Sequence, residues 1–240
     1  MDNIYGVKYI EKQIKYNVTS KTRNRYNIIG LVVHGTANTA KTADAKAHYN
    51  YFNSGNKNSS ADYIVDNTQI VRLNDFTKSY TWHIGDYKNR GLSAPKHGLY
   101  NSNTLGIEMC VNNYKDTEKM KETVNNTIKL ACYLIKNVIY LKPSKVFRHF
   151  DVTTKWCPGL GYDCVDLDNP EIAPNWKSFK EDLTELYKSV GTGNIDLSSK
   201  TVSTAKVNYY VQAGAFSKES NAKELVEKLK KDGYNAIIKT

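Results

Sequence analysis

The stretch Ile28-Ile29-Gly30-Leu31-Val32-Val33-His34-Gly35-Thr36 is an apolar run that ends in an imidazole. A short, nearly continuous apolar run bounded by turn residues reads as a buried strand. That reading places His34 at the end of a rigid element, where a side chain can emerge into a site. A second stretch, Arg148-His-Phe-Asp-Val-Thr-Thr-Lys-Trp-Cys-Pro-Gly159, brings an imidazole, an amine and a thiol into one short loop: His149, Lys155 and Cys157. Pro158-Gly159 would fix that loop as a turn. His34, His149 and Cys157 offer two nitrogens and one sulfur, a donor set that zinc favours. Three protein ligands leave a fourth tetrahedral position open for water, the mark of a catalytic zinc. The residues alone leave another reading open, in which Cys157 is a buried apolar thiol and the histidines are satisfied core or loop residues.

Other elements extend outward from these two. Residues 1–24 are polar and mixed, and read as a lead-in that packs on the main domain. Thr42 to Gly55 has Ala43, Ala47 and Tyr51 at steps of four and reads as a helix, with Thr42 as cap and Gly55 as stop. His48 falls within it as a packing or solvent-side residue. Ala61–Asp66 and Gln69–Leu73 read as a hairpin. Trp82-His83-Ile-Gly85 follows in a turn-rich segment, where an indole face suits sugar or peptide and an imidazole can hydrogen-bond. After an irregular stretch over 86–103 comes Thr104-Leu-Gly-Ile-Glu-Met-Cys-Val111, an apolar strand interrupted by one acid. Burying a carboxylate among Ile107, Met109 and Val111 is costly, so Glu108 is either turned to solvent or used. Apolar spacing makes 117–140 the longest helix, and Lys145–His149 a strand. A closing helix starting at Trp176 stops near Gly191.

With 240 residues, 40% hydrophobic and 24% charged, the chain has the composition of a soluble globular protein. Its net charge of +10 and pI near 9.2 would draw it to a polyanion: nucleic acid, anionic membrane or a wall polymer. No nucleic-acid module is legible, and no stretch has the length of a membrane span. The N-terminus lacks the pattern of a signal peptide, so synthesis in the cytoplasm is expected. Cys110 and Cys132 read as reduced and buried; Cys164 could serve as a fourth, structural thiol ligand.

Four pieces in order, Val-Val-His34-Gly-Thr, Trp82-His83-Ile-Gly, Leu-Gly-Ile-Glu108 and His149 with Lys155 and Cys157-Pro-Gly, resemble the zinc-dependent type 2 N-acetylmuramoyl-L-alanine amidases. This family includes phage lysozymes of amidase type and is related to animal peptidoglycan-recognition proteins. The resemblance spans roughly residues 25–160. It implies an α/β fold, a mixed central sheet flanked by helices with a zinc groove on one face. It also implies His34, His149 and Cys157 as zinc ligands, Glu108 and Lys155 as catalytic residues, and His83 as lining the substrate cleft, where Trp82 beside it is the second substrate-binding candidate. It gives no ligand at Cys164. Some phage members carry a tyrosine and no glutamate at the corresponding place; Tyr63 is the nearby candidate here, and Glu108 is preferred.

Tyr210-Val-Gln-Ala-Gly-Ala-Phe216 resembles the opening of a sporulation-related repeat, of which only the first βαβ half is present. The expected organisation is an amidase domain over 1–190, a linker over 191–205 and a partial wall-binding repeat over 206–240. So short a module would be docked, truncated or completed by a second copy, which makes a homo-oligomer one expectation. Bacterial peptidoglycan is the implied partner, with neither nucleic acid nor membrane insertion. The missing signal pattern favours a phage endolysin released through a holin-type pore, with a host autolysin or a non-catalytic recognition protein as alternatives.

Overall fold

A computed structural model describes residues 1–55, 57–85, 91–113, 116–158, 176–190 and 219–231. The chain divides into two compact units, Met1–Asp196 and Leu197–Thr240.

The first unit is built on a seven-stranded mixed sheet in the order β1-β2-β5-β4-β6-β3-β7. Its strands are β1 (Asn3–Ile4), β2 (Val7–Glu11), β3 (Gly30–Gly35), β4 (Tyr63–Val65), β5 (Gln69–Arg72), β6 (Thr104–Met109) and β7 (Val146–Arg148). The central trio β6, β3 and β7 is parallel, with His34 directly beside Glu108 and Val33 beside Arg148. The lead-in is more than a packed coil: Val7-Lys-Tyr-Ile-Glu11 alternates buried and exposed residues and pairs in parallel with β5. A half-buried strand at a sheet margin needs only that alternation.

Residues alternate between the two faces of a strand. Leu31, Val33, Tyr63, Val65, Leu105, Ile107 and Met109 face one way, into the main core, with α2 (Thr117–Tyr133) and α4 (Trp176–Ser189) packed over them. α2 continues as one π-helical turn over Leu134–Val138. Tyr63 therefore lies on this face, buried, in register with Ile107 and not with Glu108. The opposite face carries Val32, His34, Thr104, Gly106 and Glu108, and α1 (Ala45–Phe52) covers part of it. α1 is shorter than its apolar spacing implies, because Asp44 caps it by accepting from the Ala47 N–H at 2.8 Å. Residues after β7 fold as the short helix α3 (His149–Thr153), which ends at Thr154 in the left-handed region.

In the second unit the described element is α5 (Glu219–Lys231). The strands expected over 207–216 and 234–239, the linker and Cys164 lie outside the described residues. No described helix is long and apolar enough to cross a membrane.

Candidate metal centre

Three parallel strands end side by side, and each delivers one group: β6 gives Glu108, β3 gives His34, and β7 leads into His149. From α3 the chain returns to Cys157, with the Phe150 N–H donating to the Cys157 carbonyl at 3.0 Å. His34, His149 and Cys157 are all buried, and their ligand atoms lie within 4.8 Å of one another. The Cys157 Sγ is 3.8 Å from His34 Nδ1, and the Gly35 N–H points to that sulfur at 3.4 Å.

The hydrogen-bond network assigns the ring protons. The Thr104 hydroxyl donates to the Tyr100 carbonyl at 2.7 Å, so it accepts from His83 Nε2 at 3.0 Å. Burial, and after it Arg23, pushes His83 down to about 3. In a neutral His83 ring whose Nε2 donates to Thr104, Nδ1 carries no proton. That atom accepts from His34 Nε2 at 3.1 Å. Burial above all, with His149, His83 and Lys155 adding to it, holds His34 well below the usual imidazole range. Neutral His34 thus turns a bare Nδ1 toward the centre. His149 Nε2 lies 2.8 Å from the Ile84 carbonyl, which can only accept, so a neutral His149 also presents Nδ1. The two Nδ1 atoms face each other at 2.9 Å. Two lone pairs at that distance, beside a thiol, fit a shared cation.

Glu108 stands one strand away, half-buried, and its Oε2 is enclosed with no hydrogen-bond partner among the described residues. Burial raises its carboxyl to about 7, against an opposing pull from Lys155. Lys155 is half-buried between exposed Thr154 and exposed Trp156, with Cys157 buried beyond, so Lys155 and Cys157 share a side of the loop. Asp151, another acid near the site, accepts from the backbone N–H of Arg148 at 2.9 Å and from its guanidinium at 2.7 Å.

Trp82 is exposed and packs edge-on against Tyr80. His83 departs from the expectation of a cleft-lining residue: it is buried behind His34, and both its ring nitrogens are engaged within the protein. Sequence reading also missed Thr104 and Asn101, whose part depends on contacts across the fold. One signal was present, a glycine at 106 on the same strand face as Thr104 and Glu108. A Cβ there would lie 2.6 Å from His83 Cγ.

The profile of the N-acetylmuramoyl-L-alanine amidase family matches residues 24–160, more than half of the chain. The chain belongs to this family. The profile of the SPOR domain matches residues 205–240. Among curated proteins, the chain is 31% identical over 208 residues to the N-acetylmuramoyl-L-alanine amidase CwlL of Bacillus licheniformis, covering 83% of this chain and 52% of CwlL. It is 34% identical over 197 residues to CwlH of Bacillus subtilis strain 168, covering 77% of this chain and 72% of CwlH. The chain thus spans about half the length of CwlL and more of CwlH. The solved catalytic domain of XlyA superposes with a TM-score of 0.54 at 28% identity, over 74% of this chain and 99% of that domain.

Proposed function

We propose that the amidase-family unit is a zinc-dependent hydrolase of bacterial peptidoglycan. It would cut the amide between the lactyl group of N-acetylmuramic acid and the L-alanine of the stem peptide. The observation that carries this reading is the convergence of the Nδ1 atoms of His34 and His149 and the Cys157 sulfur beside half-buried Glu108, whose Oε2 is enclosed. His34, His149 and Cys157 would hold zinc, and the chemistry it would supply there is Lewis acidity toward water and a carbonyl.

The chain's own residues do the rest. Glu108, ionised, takes a proton from the attacking water as its oxygen bonds to the carbonyl carbon. When the carbon–nitrogen bond breaks, Glu108 returns that proton to the alanine nitrogen. Lys155 places its ammonium on the Cys157 side of the loop, where it stabilises negative charge on the former carbonyl oxygen. Trp82 offers an exposed ring face for sugar or peptide. The SPOR match supports wall binding by the second unit, and the charge of +10 suits a polyanionic wall.

Digestion of purified peptidoglycan tests the reading. New N-terminal alanine without new reducing sugar is expected; new reducing ends would replace the amidase with a glycosidase.

A further inference from the structure

One dipeptide touches both metal-facing histidines. The side chain of His83 accepts the Nε2 proton of His34, and the backbone carbonyl of Ile84, the next residue, accepts that of His149. A single side chain holds this dipeptide from behind: Asn101 Oδ1 accepts from the His83 N–H at 3.1 Å and from the Ile84 N–H at 2.8 Å. The remaining proton of the His83 ring goes to Thr104, whose hydroxyl is anchored on the Tyr100 carbonyl. His83, Ile84 and Thr104 are all buried, so water does not compete for these bonds.

An unconstrained neutral imidazole divides its proton between two nitrogens, and which nitrogen is free is set by the bond the other makes. A site that needs two bare Nδ1 atoms must exclude the Nδ1–H form twice. Here both exclusions run through residues 83 and 84, whose two N–H groups are both accepted by Asn101.

We propose that Asn101, His83 and Thr104 are positioning residues that lock both ligand imidazoles as the Nε2–H tautomer, through the His83–Ile84 dipeptide. The lock rests on the reading of His34 and His149 as metal ligands, yet it is a property of the chain without metal. Partners that orient ligand histidines typically contribute about 10–100-fold to metal affinity.

The test uses the full chain and two readings. Long-range ¹H–¹⁵N NMR of the metal-free protein, at a pH where imidazole is neutral, reports each tautomer. Competition with a chromophoric chelator reports zinc affinity. In the wild type, His34, His83 and His149 should all carry the proton on Nε2; Nδ1–H on either ligand overturns the lock. Asn101→Leu, which cannot accept, should mix the tautomers of His34 and His149 and weaken zinc by about 10–100-fold. Asn101→Asp, which still accepts from both N–H groups, should restore both readings. Wild-type tautomers and affinity in Asn101→Leu overturn the role of Asn101. If Asn101→Leu does not fold, Thr104→Val against Thr104→Ser decides in the same way through His83. A wild type that binds no zinc removes the metal reading alone, and the NMR pattern then decides the lock by itself.

Discussion

Glu108 sits where its charge is costly, and that cost can be measured. Its carboxyl titrates near 7 in the folded chain against 4.5 as the ordinary value, because burial outweighs the attraction of Lys155. Below about 4.5 the group is protonated both folded and unfolded, and the penalty is absent; above about 7 it is ionised in both states, and the penalty is full. The stability of the metal-stripped protein should therefore fall through that window as pH rises. Glu108→Gln should melt above wild type on the alkaline side and match it on the acid side. A melting difference that does not change with pH would contradict the buried-charge account. The same variant should retain zinc and fold while losing at least ~10²–10⁴-fold in turnover, as expected for a positioned proton-transfer group. A near-normal rate in Glu108→Gln, with Asp151→Asn dead and zinc-replete, would move the base to Asp151. Cys157→Ser exchanges a thiolate for a poor neutral ligand and should lose zinc on dialysis. Stoichiometric zinc in that variant would strike Cys157 from the ligand set. Residue by residue, His34, His149, Cys157 and Glu108 stood out in the sequence because an imidazole, thiol or acid in an apolar or turn setting is conspicuous. The place of His83 was not legible, since nothing local distinguishes an imidazole turned to a cleft from one turned to another histidine.

At the scale of elements, β6 shows what pattern reading captures and what it leaves out. Its apolar run predicts a strand, and parallel pairing then sets Glu108 beside His34. Thr104, Gly106 and Glu108 share a face by simple alternation, giving a hydroxyl, a gap and an acid in sequence. The gap is filled by His83, a long-range contact that no local period encodes. Gly106→Ala would bring a methyl within 2.6 Å of His83 Cγ, so the ring must move. This variant should keep β6 and the fold, yet weaken zinc as the ring loses His34; unchanged affinity would mean that His83 has room to shift without consequence. The helices were easier to read than their ends. α2 follows its apolar stripe, whereas α1 starts at Asp44 and not at Thr42, because a cap is decided by which oxygen reaches the free N–H groups. The lead-in strand β2 is hard to see in the sequence, because five residues with alternating polarity are a weak signal beside a long polar segment.

At the scale of the whole molecule, the proposed function assigns different work to the two units. The groups proposed for the chemistry, His34, Glu108, His149, Lys155 and Cys157, all belong to Met1–Asp196. Leu197–Thr240 contains no histidine or cysteine, and α5 within it has no buried residue. Its apolar positions Ala222, Leu225, Val226 and Leu229 keep the helical spacing of a packing stripe while staying partly exposed. Such a stripe suits docking onto the rest of a small module, onto wall polymer or onto a second copy. None of these roles supplies a group to the proposed chemistry. A chain ending at Asp196 should therefore cleave a soluble muropeptide at the rate of the full chain. On intact walls it should bind less and act more slowly at low enzyme concentration, because tethering raises the effective concentration of the hydrolase at its substrate. Sedimentation of both chains, alone and with walls, separates the routes: concentration-dependent mass in the full chain alone points to pairing through the second unit, and co-sedimentation without self-association to wall binding. A large loss of turnover on the soluble substrate, with zinc bound and the fold intact, would instead make Leu197–Thr240 part of the catalytic machinery.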